Sequence, residues 1–320
     1  MEPEKPYVIG IDMGGTTTKF GIVDARGNVL SQGAIKTDHP EINDYMNDLK
    51  AGIDVLINGA GGIEKIKGIG AGAPNGNYYT GNIEFAPNLP WKGVVPFANL
   101  LKDKFGVPTA ITNDANAAAV GEMMYGVAKG MKNFIMITLG TGVGSGIVIN
   151  GKIVYGHDGF AGELGHVIYD KSENGRQCGC GRKGCLETYS SATGVARTAC
   201  EILDKTDRPS SLREMCSTSI TSKDVFDAAM AGDEVAKEVF EYTGKILGES
   251  LADFVAFSAP EAIVLFGGLT KSGDLIMKPI VENMEKNLLN IWKGKVKVIF
   301  SQLKESDAAI LGASALAWEL

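Results

Sequence analysis

Cysteine is scarce in this sequence, five residues in 320, yet three of the five crowd into eight positions, Cys178, Cys180 and Cys185 in "CGCGRKGC". Other absences exclude whole classes. No run approaches the ~18 uninterrupted apolar residues that a membrane-spanning helix needs. The opening "MEPEKPYVIGID" lacks the basic start and apolar core of a signal peptide. A net charge of −7 argues against nucleic acid or an anionic membrane surface as partner. No Gly/Ser or Pro-rich linker and no low-complexity tract interrupts the chain. Few cysteines and no secretion signal point to a reducing, cytoplasmic setting, where clustered thiols hold metal more often than they pair as disulfides. Cys200 and Cys216 stand apart from the cluster and read as packing or surface residues.

What is present is an α/β protein of ordinary composition, 44% hydrophobic and 22% charged, long enough for one large or two ordinary domains. The strand "YVIGID" runs through "MGGTTTK" into "FGIVD" and, after the turn "ARGN", into "VLSQGAI". Far downstream "FIMIT" runs through "LGTGVGS" into "GIVI", the turn "NGK" and "IVYG". An offset of 125 positions aligns Gly15-Thr16 with Gly140-Thr141 and Gly21-Ile22-Val23 with Gly146-Ile147-Val148, so the chain reads as two related β-rich units facing each other. Helical spacing or strong helix formers mark residues 41–60, "ANAAAVGEMMYG", 190–204, 223–257, 276–293 and the closing "DAAILGASALAWEL". Buried strands are predicted at "IKGIGAG", "VPTAITND", "AIVLFGG" and "VKVIFS", and a surface loop over 205–222.

The glycine hairpins carry the first chemical signal. Asp12 ends a strand and is followed by Gly14 and Gly15, whose backbone N–H groups can converge on phosphate oxygens. A carboxylate there suits Mg²⁺, which keeps part of its water shell. The second hairpin adds N–H groups and the Thr141 hydroxyl. Neither is a G-x-x-x-x-G-K-[ST] loop, and a strand rather than a helix follows, so neither is a dinucleotide-binding turn. Two structural hairpins or a nucleotide clamp both satisfy the pattern. "TNDANAAA" places Asn113 and Asp114 at a strand-to-helix junction. Asp114 there is either a helix cap or a general base at the carboxyl edge of a sheet.

His166 with Cys178, Cys180 and Cys185 makes the one-nitrogen, three-sulfur set of a closed tetrahedral zinc site, structural because no position is left for a reacting water. Glu163 stands three residues before His166, and Glu187 two after Cys185. Alone, each glutamate reads as a surface charge; drawn together by a metal, the pair suits vicinal sugar hydroxyls. The second nitrogen of His166 could then meet a sugar oxygen. On this reading Cys180→Ser weakens sugar binding more than ATP binding. Gly267-Gly268 in "VLFGGL" would let a flat base or a ribose lie close to backbone, or simply open a helix.

In order along the chain, "DMGGTTTK", "APNLPW", "TNDANAAA", "LGTGVGSGI", "AGELGH", "CGCGRKGCLE" and "FGGL" resemble the ROK family (repressors, open reading frames and kinases), specifically its sugar-kinase branch. The resemblance implies the actin-like ATPase (ribonuclease H-like) fold, two lobes of repeated mixed sheet flanked by helices with a cleft between them. The lobes would be residues 1–112 with 303–320, and 113–302 carrying the zinc loop. It implies a cytoplasmic, glycolytic hexose kinase using Mg·ATP, Mg²⁺ and structural Zn²⁺, with O6 of glucose the expected acceptor. Asp114 then matches the base. Asn113, Glu163, His166, Glu187 and Asn88 match sugar contacts. Asp12, Gly14, Gly15, Thr16, Thr141 and Gly142 lie on the phosphate side and Gly268 on the nucleoside side. The family implies a dimer or tetramer. An N-acetylmannosamine or N-acetylglucosamine kinase, or a sugar-sensing regulator without turnover, are the alternatives; with fewer than ten residues preceding Val8, a regulator carrying a DNA-binding domain is not the expectation. In "APNG", Asn75 follows Pro74 where many relatives carry glycine, an exchange expected to affect how that loop meets the sugar.

Overall fold

Alternation of apolar runs with glycine turns produces two five-stranded mixed sheets flanked by helices. The computed structural model describes residues 5–215 and 220–320, so Cys216 lies outside the described residues. In chain order the strands are β1 Tyr7–Met13, β2 Thr17–Asp24, β3 Val29–Lys36, β4 Ile66–Gly72, β5 Ile83–Glu84, β6 Val94–Val95, β7 Thr109–Thr112, β8 Phe134–Leu139, β9 Val143–Ile149, β10 Lys152–Ile153, β11 Ala262–Phe266 and β12 Lys297–Phe300. The helices are α1 Ile42–Gly59, α2 Phe97–Phe105, α3 Asp114–Tyr125, α4 Glu187–Ser190, α5 Ala192–Leu203, α6 Ser222–Met230, α7 Glu234–Ser258, α8 Asp274–Asn287 and α9 Glu305–Ala317. Among the described residues no helix is long and apolar enough to cross a membrane.

Both sheets have one topology. The first runs β3-β2-β1-β4-β7 and the second β10-β9-β8-β11-β12. In the first, β1 pairs antiparallel with β2 and parallel with β4. In the second, β11 pairs parallel with β8 and β12. A single offset of 125 does not describe this repeat. It fits β2 against β9, but β1 and β8 superpose at 126, where half-buried Asp12 meets half-buried Thr138 and buried Met13 meets buried Leu139. The second turn is one residue shorter, closing Gly140 N–H onto Gly142 O at 3.0 Å where the first closes Gly14 N–H onto Thr17 O at 3.0 Å.

The chain divides into two compact units, residues 1–132, 146–162 and 301–320 in one, and 133–145 and 163–300 in the other. The first thus takes in 113–132 and 146–162, beyond the 1–112 and 303–320 expected from sequence. The reason is α3. A Cβ on its Gly121 would stand 2.7 Å from Gly312 Cα, so α3 and α9 meet at backbone contact. Helix α9 lies equally close to the sheet, a Cβ on Gly10 falling 2.1 Å from Ile310 O and one on Gly70 1.9 Å from Ala313 O. Only glycine allows that approach. The opposite face buries Ile9, Ile11, Phe20 and Ile22 against Tyr45, Leu49 and Ile53 of α1 and Phe97 and Leu101 of α2. The second unit's core joins Ile135, Ile137, Ile263 and Leu265 to Leu247 and Leu251 of α7 and Ile276 and Ile280 of α8.

Two readings of the helices are corrected. The predicted helix over 223–257 is two, because Gly232 turns to φ 96° and Asp233 caps α7 by accepting Val235 N–H and Ala236 N–H. Helix α2 went unpredicted, although Phe97, Leu101 and Phe105 recur every four residues and Gly106 ends the helix in the left-handed region.

Candidate functional site

The predicted residues fall into two groups, one in each unit. In the first, Asp12 is the last residue but one of β1, with Met13 between it and the turn Gly14–Thr17. That turn is tied by Thr37 N–H to Thr16 O at 2.9 Å. Among the described residues the N–H groups of Gly15 and Thr16 donate to no protein acceptor. Two adjacent unpaired donors on one turn form a cradle for an anion. Asn88 is brought to the same place: a Cβ on Gly15 would stand 2.9 Å from Asn88 O.

Helix α3 opens beside it. The cap offered by sequence to Asp114 belongs to Asn113, whose buried Oδ1 accepts Asn116 N–H at 2.7 Å. Asp114 is instead the first helical residue, its Oδ1 accepting its neighbour Ala115 N–H at 2.9 Å. The second carboxylate oxygen is left for chemistry. Asp114 is exposed, yet protein around it displaces enough bulk water to raise its carboxyl, an effect that the N–H groups of Ala115 and of Asp114 itself oppose. Asp12 is pushed up to about 6, first by desolvation and then by the like charge of Asp114, with Lys19 pulling the other way. The charge of Asp114 therefore reaches Asp12, and both carboxyls are raised above those of free side chains.

In the second unit the turn Gly140–Gly142 is braced from outside. Ala192 N–H reaches Gly140 O at 2.8 Å, Thr193 Oγ1 donates to Thr141 O at 2.9 Å, and Val143 N–H donates to Glu187 Oε2 at 3.0 Å. The N–H groups of Thr141 and Gly142 again have no protein acceptor among the described residues. Gly267 is a packing requirement, at φ 110° with its Cβ position 2.6 Å from Leu139 O, whereas a Cβ on Gly268 would meet nothing within 4 Å. Gly268 opens the 3₁₀ turn Gly268–Ser272 onto open space.

The cysteine loop lies in this same unit. The donor atoms of His166, Cys178, Cys180 and Cys185 all fall within 4.8 Å of one another. His166 Nδ1 is 3.7 Å from Cys178 Sγ, and Cys180 Sγ 3.6 Å from Cys185 Sγ. Donors bound at about 2.0–2.3 Å to one tetrahedral ion stand roughly 3.5–3.8 Å apart, so these residues fit such an ion. The segment carrying Glu163 packs on the start of β9, a Cβ on Gly165 falling 2.0 Å from Val143 O. Glu187 holds the N–H of that same Val143, so the two glutamate-bearing segments do meet. Cys200 is half-buried against the core, apart from the cluster.

Arg176 escaped the reading of the sequence. It lies within the loop, 4% exposed, donates to Thr188 O at 2.8 Å and Thr198 Oγ1 at 2.9 Å, pairs with Glu201 at 2.7 Å, and stacks 4.4 Å over the Tyr189 ring. It fastens the loop to α4 and α5 independently of any metal. Asn75 sits at φ 51°, the left-handed region that glycine favours, and its amide donates to Glu84 O at 2.9 Å. It therefore keeps a glycine-like backbone and spends its side chain inside the loop.

The sequence model of the ROK family matches residues 8–319. A glucokinase of Halalkalibacterium halodurans is 39% identical over 285 residues, covering 87% of this chain and 85% of its own. The crystal structure of a ROK family glucokinase from Streptomyces griseus in complex with glucose and AMPPNP matches with a TM-score of 0.80 at 32% identity, covering 98% of this chain and 100% of its own. The xylose repressor of Bacillus spizizenii is 27% identical over 317 residues, covering 98% of this chain and 77% of its own.

Proposed function

Since the chain belongs to the ROK family, we propose that it is an ATP-dependent hexose kinase, transferring the γ-phosphate to O6 of glucose with Asp114 as general base. The observation that carries this reading is the pairing of Asp12 and Asp114, two raised carboxylates beside a turn with two unpaired N–H donors. Asp114 takes the proton of the sugar hydroxyl as that oxygen bonds to phosphorus and ADP departs. A base whose carboxyl is raised is suited to that transfer, which is worth on the order of 10²–10⁴ in rate.

The N–H groups of Gly15 and Thr16, with Gly14 allowing the close approach, and those of Thr141 and Gly142 bind phosphate oxygens, and Gly268 leaves room for the nucleoside. Asp12 would hold Mg²⁺ through water; such an ion, when bound, supplies neutralisation of the transferring group's charge. Asn113 offers its amide nitrogen, its oxygen being committed to the cap, and Asn88, Glu163, His166 and Glu187 offer partners for sugar hydroxyls. His166, Cys178, Cys180 and Cys185 would hold Zn²⁺, which when bound locks the loop and its two glutamates.

ADP release with Mg·ATP against glucose, mannose, N-acetylmannosamine and N-acetylglucosamine, alongside Asp114→Asn, tests the reading. Turnover of glucose that drops by about 10²-fold or more in the variant is the expected result. A second reading, sugar sensing without turnover, draws on the xylose repressor similarity. No turnover on any sugar, with glucose still raising the melting temperature, would establish it instead.

A further inference from the structure

One carboxylate joins the cysteine loop to the second hairpin. Glu187 is the first residue of α4, two positions beyond Cys185. Its Oε2 accepts Val143 N–H at 3.0 Å, and a Cβ on Gly142 would fall 2.3 Å from that same oxygen. Its Oε1 lies 3.7 Å from Cys178 Sγ. The carboxylate thus rests on the turn whose next two amides upstream, Gly142 and Thr141, are the unpaired ones.

We propose that Glu187 is a positioning residue for the phosphate-side hairpin: it fixes the Val143 amide, lies where a Cβ at 142 would stand, and makes nucleotide binding depend on the cysteine loop. The proposal rests on the kinase reading for what the hairpin binds, but it adds a function that sugar contact does not require. Releasing the carboxylate leaves Val143 N–H without a partner and the Gly140–Gly142 turn braced from α5 alone, through Ala192 and Thr193. The aim of the two unpaired amides is then no longer set. The Cys180→Ser expectation changes accordingly. Loosening the loop disturbs both ligands, because Glu187 serves both.

Two substitutions separate these roles. Glu187→Gln keeps an oxygen at the same reach for Val143 N–H and loses the charge, whereas Glu187→Ala loses both. Calorimetric binding of Mg·AMPPNP without sugar is expected to weaken about tenfold in Glu187→Ala and to stay within about twofold of wild type in Glu187→Gln. Glucose binding should fall in both. Amide exchange at Val143 supplies a readout that needs no ligand, fast in the alanine variant and slow in the glutamine variant. Unchanged AMPPNP affinity in Glu187→Ala would overturn the proposal, as would equal loss in the two variants. If the wild type bound no AMPPNP, the kinase reading would fall; exchange at Val143 in Glu187→Ala as slow as in wild type would separately sink the positioning role.

Discussion

The two glycine turns share a frame and differ in their support. Each follows the strand at the centre of its sheet, each is closed by one backbone bond of 3.0 Å, and each leaves two consecutive amides without a protein acceptor among the described residues. The first is supported by its own sheet: Thr37, just past β3, holds Thr16 O, and the strand leading in carries Asp12. The second relies on α4 and α5, through Ala192, Thr193 and Glu187, and carries neutral Thr138 where the first has Asp12. Thr138 Oγ1 spends itself locally by accepting Gly144 N–H at 3.1 Å. A repeated supersecondary unit has thus been divided by side-chain chemistry. One copy carries a charge, Asp12, ahead of its turn, and the other has a carboxylate, Glu187, bonded to the Val143 N–H at the end of its turn.

Exchanging the residues that differ gives the largest expected effect. Asp12→Asn should lower turnover on the order of 10²–10³-fold, since it removes a charge positioned for the transferring phosphate and its counter-ion. Thr138→Ala removes one hydrogen bond to the backbone, worth about 1 kcal/mol, and should cost turnover roughly fivefold. Steady-state kinetics on the two variants would break the comparison if the losses were equal, for then both copies would do the same work.

Asp12 also leaves a mark on stability, with a definite sign. Its carboxyl is raised from 3.8 to about 6 by desolvation and by Asp114. Below pH 3.8 the folded and unfolded chains both hold the proton and nothing is lost. Between 3.8 and 6 the unfolded chain ionises first, so folding takes up a proton and stability declines as pH rises. Above 6 the folded protein carries the full penalty, at most roughly 2–3 kcal/mol for a shift of about two units. Asp12→Asn should therefore stabilise the ligand-free protein at pH 7.5 and leave it nearly unchanged near pH 4, as read from urea midpoints. A gain of equal size at both pH values would mean that the burial, and not the charge, is what Asn relieves. The same titration predicts that kcat/KM, which reports on the free enzyme, falls as pH drops through about 6, where Asp12 takes up a proton.

What could be read from sequence was whatever is local. Apolar runs located β1, β4, β8 and β11; "TNDANAAA" announced a capped helix; the Cys/His spacing announced a metal set that the donor distances fit. The cap itself moved by one residue, to Asn113, because both Asn and Asp satisfy the cap rule and only the backbone decides between them. The one-residue difference between the turns was invisible to a uniform offset, since Gly/Thr identity tolerates the slip and strand burial does not. What bears most on function was not local at all. Glu187 reaches Val143 across 44 positions, and Arg176 reaches Glu201 across 25. No periodicity or motif encodes such pairs; packing of α4 and α5 on the second sheet brings them together.

The smallest effect sharpens the comparison most, because it separates the kinds of support directly. A methyl group at Gly15 would meet the backbone oxygen of Asn88 at 2.9 Å, an obstacle that moves only if the chain moves. At Gly142 it would meet Glu187 Oε2 at 2.3 Å, the tip of a side chain that can rotate away. Gly15→Ala should therefore cost about 1–2 kcal/mol of stability, in the range of overpacked sites. Gly142→Ala should cost less than about 1 kcal/mol, because a rotamer change at Glu187 relieves the clash. The order reverses for Val143. Its amide should lose protection from exchange in Gly142→Ala and keep it in Gly15→Ala, since only the former displaces the carboxylate that holds it. Were Gly142→Ala the more destabilising of the two, Glu187 would be locked by its surroundings, and the second turn would be as rigidly built as the first.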